Sequence, residues 1–133
     1  MVEALVTLAV TSVALLGFAG LLSQSIAANR QAYFRTQATI FTYDMIERIR
    51  VNRAAALGGA YNVDLASAGS PGSVAGEDVL DWKAALAREL PVGAGSISID
   101  GQGNVIVLVQ WRDSASQPVS VLRTQSKACP MPR

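Results

Sequence analysis

The chain has 133 residues, half of them hydrophobic, and a formal net charge of +1. A chain of this length buries one small core, so we expect a single globular head beside any membrane segment. It contains no histidine and one cysteine, Cys129, which excludes Ser-His-Asp and Cys-His catalysis and an intrachain disulfide. We therefore expect no enzyme, no cofactor, no metal and no small-molecule substrate, and we interpret Cys129 as a structurally idle thiol rather than an intermolecular one.

Residues 4–22 form an apolar stretch of about 19 residues, or nearly 30 Å as a helix, which is just sufficient to cross a bilayer. The stretch lacks the basic start, short apolar core and cleavage site of a signal peptide, so we expect it to be retained. Glu3 stands at its head, and the next charge is Arg30. We predict that residues 1–28 form a transmembrane half-helix.

The helical pattern continues past the apolar stretch, because residues 23–56 contain neither proline nor glycine. Five apolar residues at spacings of four, three, four and four predict one buried stripe. They are Phe34, Ala38, Phe41, Met45 and Ile49. Ile26, Tyr33 and Ile40 follow an adjoining line at spacings of seven. We predict one helix from about residue 2 to 56, ended by Gly58 and Gly59.

We predict that residues 29–133 form a small globular head. This head includes the amphipathic half of the long helix, to about residue 56. A loop of small residues at 57–76 precedes a short helix at 77–90, and a tail occupies 125–133. Val79, Trp82, Leu86 and Leu90 share one face of this short helix. "SISID" and "NVIVLVQWR" flank "GQG" as a hairpin, and "PVSVLRT" supplies a third strand antiparallel to the second, so the sheet spans 96–124. The fold class is α+β.

The order of these elements, with an early glutamate, resembles the type IV pilins. The stretch "AYFRTQATIFTYDMIERIRVNRAAALGGAYN" (residues 32–62) closely resembles the PilV-type minor pilins. The motif residues are Tyr33, Arg35, Gln37, Tyr43, Asp44, Arg48, Arg50, Asn52 and Arg53. The resemblance implies the type IV pilin fold, in which a long N-terminal helix packs on an antiparallel sheet of three or four strands with one short extra helix.

The resemblance also implies a function and partners. A PilV-type minor pilin is a structural subunit that initiates or primes assembly of a type IV pilus, in a complex at the tip. Its partners would be other minor pilins, major pilin subunits, the inner-membrane assembly platform and a prepilin peptidase. It would cross the inner membrane once, with a cytoplasmic N-terminus, and reach the cell surface on assembly. The alternatives are a pseudopilin of a type II secretion system and a single-span membrane-anchored binding domain.

The sequence departs from the family pattern in three ways. Met1 stands where the third mature residue should be, without the cleavage-site residues before it. A single cysteine cannot close the C-terminal disulfide loop of major pilins, which favours a minor pilin. The proline that kinks many major-pilin helices is absent, and Gly17 and Gly20 are the weak points there.

Glu3 has two interpretations. A carboxylate at the centre of a bilayer costs about 2.5–3.5 kcal/mol, although less near a helix end, where the helix dipole favours it by about 0.3–1 kcal/mol. It could therefore lie at the interface as a mild cap. The pilin resemblance implies instead that it pairs with the terminal ammonium of a neighbouring subunit and fixes the register of assembly.

Other candidates have a simpler interpretation beside the functional one. Asp78 and Asp81 could form a carboxylate pair, but we interpret them as a solvated face. Residues 100–104 faintly resemble a calcium loop, and a hairpin turn is favoured. Arg48, Arg50 and Arg53 could bind DNA, yet complementing the helix dipole or contacting a subunit is favoured. The acidic balance over 57–111, with the 58–76 loop, suggests a partner-distinguishing surface or an ordinary mixed one.

Overall fold

The computed structural model of the protein describes residues 1–113 and 118–128. Three helices precede three strands: α1 is Val2–Val51, α2 Arg53–Leu57, α3 Val74–Glu89, β1 Ala94–Ile99, β2 Asn104–Trp111 and β3 Ser120–Lys127. The α+β class is confirmed. The chain divides into an N-terminal unit, Met1–Tyr33, and a C-terminal unit, Phe34–Arg133. Cys129 and the predicted tail beyond residue 128 lie outside the described residues.

The N-terminal unit is one apolar part of α1, and its side chains are exposed all round. This part is long and apolar enough to cross a membrane. The hydroxyl groups of Thr7, Thr11 and Ser12 each donate a hydrogen bond to the backbone carbonyl four residues earlier, at 2.8 Å. These bonds satisfy the polar side chains locally, as an apolar environment requires.

The second part of α1 presents the predicted stripe to the core. Ala38, Met45 and Ile49 are fully buried, and Phe34 and Phe41 pack against the core while partly buried. The stripe prediction is confirmed. Ile46 is buried beside this stripe. The adjoining line through Ile26, Tyr33 and Ile40 is exposed.

The prediction that this helix runs to residue 56 is wrong, because α1 ends at Val51 and a separate short helix follows. Asn52 leaves the helical region with φ −104° and ψ 48°, and its side-chain amide donates to the hydroxyl of Tyr61 at 3.2 Å. The glycine stop is placed correctly, since α2 ends at Leu57 and Gly59 has φ +80°.

α3 begins three residues before the predicted start and ends one residue before the predicted end, at Glu89. The early start has a clear cause, because the Ser73 hydroxyl accepts the Gly76 N–H at 3.1 Å and caps the helix. Val79, Trp82 and Leu86 are buried as predicted, and Leu90 is buried just after the helix. The predicted shared face is confirmed.

α3 packs closely against its neighbours through Trp82. The Trp82 indole N–H donates to the Phe41 carbonyl of α1 at 3.0 Å. On its other side, a Cβ on Gly95 would lie 2.3 Å from the Trp82 ring. Glycine is therefore required in β1 where the strand passes the indole.

The sheet is antiparallel in the order β1-β2-β3, as predicted for the third strand. Val105, Val107, Val109 and Trp111 of β2 face the core, while Ile106 and Leu108 are half-buried on the other face. β1 begins at Ala94, two residues before the predicted start. β3 continues to Lys127, so the predicted tail start at 125 is wrong, because the strand keeps pairing with β2 as far as Asn104.

The hairpin between β1 and β2 is organised by Asp100. Its carboxylate accepts the Asn104 side-chain amide at 2.6 Å and the backbone N–H groups of Asn104 and Gln102 at 2.8 and 2.9 Å. These bonds, the Asn104 side chain first, hold the pKa of Asp100 below its usual range. Gly103 adopts φ +79°, which glycine tolerates best. The interpretation of 100–104 as a hairpin turn is confirmed.

Candidate functional site

Glu3 lies exposed in the first turn of α1. Its backbone carbonyl accepts the Thr7 hydroxyl. Within the described part of the chain, no cation or hydrogen-bond donor contacts its carboxylate. The exposed position is compatible with both interpretations of this residue.

The nine motif residues of α1 and the following turn do not form one surface. Gln37, Arg48 and Asn52 are half-buried, and the others are exposed. The exposed ones are Tyr33, Arg35, Tyr43, Asp44, Arg50 and Arg53. Exposure therefore differs from one motif residue to the next, and their contacts have to be considered one by one.

Three motif residues meet two residues from elsewhere in what we call the Arg48 cluster: Asp44, Arg48, Asn52, Tyr61 and Asp78. The Arg48 guanidinium bridges two carboxylates, with Nε 2.9 Å from Asp44 Oδ2 and Nη1 2.9 Å from Asp78 Oδ1. The Tyr61 hydroxyl donates to Asp78 Oδ2 at 2.8 Å and accepts from the Asn52 amide. The cluster joins α1, the loop after α2, and α3.

The Arg48 cluster is partly withdrawn from water. The Tyr61 residue is 0% exposed, and burial, with its bond to Asp78, raises the pKa of its hydroxyl. The hydrogen bond to Asp78 raises the pKa of Arg48. A carboxylate that accepts from both a guanidinium and a buried phenol is fixed in place, so the cluster orients α3 relative to α1.

The prediction that Asp78 lies on a solvated face is wrong, because its side chain is only 19% exposed and accepts from two donors. Asp81 is exposed as predicted. Sequence reasoning also missed Tyr61, an aromatic residue among the small residues of the 58–76 loop. That isolated aromatic was the available signal, since a large side chain in such a loop has reason to return to the core.

Arg50 and Arg53, the other two arginines that were considered for DNA binding, have different surroundings from Arg48. Arg50 pairs with Glu47 at 2.5 Å and donates to the Ser126 hydroxyl of β3 at 2.9 Å. Arg53 is exposed. Three arginines with three different environments do not make a continuous basic surface, and DNA binding gains no support from this arrangement.

The loop between α2 and α3, residues 58–73, is bound to α3 by hydrogen bonds. The Lys83 ammonium donates to the backbone carbonyls of Asp64, Leu65 and Ser67, and burial lowers the pKa of Lys83. A cavity of about 680 Å³ lies beside this loop, lined by both polar and apolar residues, among them Asn62, Ser70 and Val79. In the described ranges, no group of three acidic or cysteine side chains is placed to hold a metal ion.

Comparison with known proteins yields no relative: no family model matches the chain, and neither a curated protein nor a solved structure does.

Proposed function

We propose that this protein is a PilV-type minor pilin, a structural subunit that primes the assembly of a type IV pilus. One observation carries the proposal. A wholly exposed apolar helical segment, headed by Glu3, continues in sequence into a helix that packs on a three-stranded sheet. Together with the helix motif, this layout supports a subunit whose N-terminal segment exchanges lipid for the helices of other subunits.

Glu3 has a defined role in this proposal. While the segment lies in the membrane, the acid stays near the interface, where its cost is smallest. When apolar helices bundle into a filament, a carboxylate without a partner would be expensive, and the terminal ammonium of an adjacent subunit neutralises it. A subunit at the wrong height loses this pair, so Glu3 fixes the register of docking.

The proposal extends to location and partners. The subunit would wait in the inner membrane with its N-terminus cytoplasmic, and then enter the pilus with its head at the cell surface. Its partners would be the other minor pilins, the major pilin and the assembly platform, and its precursor would be processed by a prepilin peptidase. The exposed motif residues Tyr43, Arg35 and Arg53 are available for head contacts with these subunits.

The test separates insertion from assembly. Glu3→Gln keeps the shape of the side chain and removes its charge, while Glu3→Asp keeps the charge and serves as the matched control. We expect both variants to resist carbonate extraction from membranes, and only Glu3→Gln to fall at least about ten-fold in sheared surface filaments, as measured by immunoblot. Equal amounts of both variants in the filaments would contradict the pairing role, and absence of the wild-type chain from filaments would contradict the pilin assignment.

A further inference from the structure

The two edge strands of the sheet, β1 and β3, differ in whether their outer backbone groups are hydrogen-bonded. The β1 edge is covered by the loop after α2, because Val63 and Ile97 exchange two backbone hydrogen bonds of 3.0 and 2.9 Å. The side chain of Asn62 extends this cover, since it accepts from Ile99 N at 2.7 Å and donates to Ile99 O at 3.4 Å. A partner strand therefore finds the β1 edge occupied.

Among residues 1–113 and 118–128, nothing covers the β3 edge. Two backbone hydrogen bonds, Asp100 N to Asn104 O and Ala128 N to Gly103 O, show which residues of β2 bond to β1 and which bond to β3. The even-numbered residues of β2 bond to β1, and the odd-numbered ones bond to β3. It follows that the even-numbered residues of β3 bond to β2, and that the odd-numbered ones direct N–H and C=O away from the sheet. These outward residues are Val121, Arg123, Gln125 and Lys127, all exposed. No other described residue bonds to their outward backbone groups.

The open edge carries positive charge on one face. Arg123 and Lys127 are four residues apart, so they lie on the same face of β3, which is the face turned away from the core. Their cross-strand neighbours on β2 are Leu108 and Asn104, which bear no charge. Asp100 is the carboxylate near Lys127, and it is already engaged by its own turn.

We propose that the outer edge of β3 accepts an extended segment of a different protein chain, with two carboxylates four residues apart on one face. Backbone hydrogen bonds to the outward groups of β3 would supply affinity, and the carboxylates would lie opposite Arg123 and Lys127. Arg and Lys on an edge repel strands of their own sign, so they select this partner as well as attract it.

A second copy of this chain is a poorer occupant of the same edge. Antiparallel pairing of β3 with itself gathers Arg123 and Lys127 of both copies on one face, directly opposite each other in the register about Gln125, and like charges so placed are destabilising. The chain has one pair of carboxylates four residues apart, Glu77 and Asp81, and both belong to α3 rather than to an extended segment. The occupant is therefore a different chain.

The experiment measures amide exchange by NMR on the full chain in detergent micelles. The probe is a ten-residue peptide of alternating Thr and Val, in which Glu replaces two Thr four residues apart; the control peptide carries Lys there. We expect the Glu peptide to slow exchange at the four outward amides at least about five-fold, and to leave the even-numbered amides of β3 nearly unchanged. An unchanged outward set, or an equal effect of both peptides, would overturn the proposal.

Two variants test the backbone and the charge separately. Gln125→Pro removes an outward N–H without removing a bond to β2, and Gln125→Ala keeps that N–H. We expect only the proline variant to lose the peptide. Arg123→Glu with Lys127→Glu should weaken the Glu peptide about ten-fold and create binding of the Lys peptide.

Arg88→Glu, a charge reversal at an exposed residue of α3, should leave the preference between the two peptides unchanged. The reversal of preference does not depend on whether the proline variant folds. Outward amides that already exchange slowly without peptide, in a way that depends on protein concentration, would show that a second copy occupies the edge and would overturn the proposal.

Discussion

The two parts of α1 differ in whether their apolar side chains are buried within this chain. Both carry large apolar side chains at helical spacing, yet Leu15 in the N-terminal unit is 64% exposed and Met45 in the C-terminal unit is 0% exposed. The difference lies in what the rest of the chain provides. Residues 34–51 face a sheet and a second helix, whereas the large apolar side chains of residues 2–26 are all exposed. An apolar surface without an internal partner is a surface for lipid or for other chains.

The comparison has an energetic consequence. Burying a leucine side chain contributes about 1.5–3 kcal/mol, so the head owes its stability to its own core. The N-terminal unit gains the same contribution only from its surroundings. Substitutions in the two units should therefore affect different measurements, namely unfolding of the head and association of the whole chain.

The largest contrast compares two leucines on helices. Leu86→Ala should lower the free energy of unfolding of the C-terminal unit by about 2–5 kcal/mol, because it leaves a cavity in the core. Leu15→Ala should leave it within about 0.5 kcal/mol. Urea unfolding in micelles, followed by the fluorescence of Trp82 and Trp111, measures both. An equal loss of unfolding free energy in both variants would contradict the claim that only the C-terminal unit has its own apolar core.

The second contrast lies within α3. Asp78→Ala removes the acceptor of both Arg48 and Tyr61, and should cost about 2–3 kcal/mol of unfolding free energy. Asp81→Ala is the control at an exposed aspartate of the same helix and should be nearly neutral. If the two aspartates prove equivalent in the urea titration, the Arg48 cluster does not hold α3.

The third contrast adds pH. Tyr61→Phe should cost about 1.5 kcal/mol at neutral pH, because the buried hydroxyl donates to a carboxylate. The pKa of Tyr61 is raised in the folded protein, so its contribution is present below its ordinary value of 10.0 and is lost as the pH rises through the folded value. The difference between wild type and variant should therefore narrow above about pH 10. Tyr43→Phe, at an exposed tyrosine, should show neither effect; a pH-independent difference for Tyr61→Phe would refute the assignment.

The smallest contrast concerns two serines. Ser73→Ala removes the cap of α3 and should cost about 1 kcal/mol, while Ser73→Asp should retain most of it. Ser12→Ala in the N-terminal unit should not alter unfolding of the head, since its hydroxyl serves only its own helix. The midpoint of thermal unfolding of the three variants measures these differences. Equal midpoints for Ser73→Ala and Ser12→Ala would show that the Ser73 hydroxyl does not stabilise α3.

Periodicity predicted the elements well, because it reports which face each one buries. The stripe through Met45 and Ile49, the face of α3, and the alternation along β2 all followed from spacing alone. Two helix ends did not follow from spacing, because a single side-chain bond sets each of them. Asn52 interrupts the first helix through Tyr61, and Ser73 starts α3 early through Gly76.

The contacts of the candidate site were beyond sequence patterns for a related reason. Asp78 lies 30 residues from Arg48 and 17 from Tyr61, so no local spacing joins them. In the described part of the chain, the edge position of β3 likewise depends on strand order, which places β2 in the centre, with the loop after α2 bridged to β1.

The most direct test of the account asks what covers the N-terminal unit in its working state. A photo-crosslinking amino acid at position 15, activated in intact cells, reports the neighbour of that helix, and the same group at position 102 in the exposed hairpin serves as control. In sheared filaments we expect position 15 to yield adducts with another pilin subunit, mapped by mass spectrometry to the apolar helix of that subunit. Adducts with lipid alone, and no crosslinked chain in the filament fraction, would show that this segment is only a membrane anchor and would contradict the account.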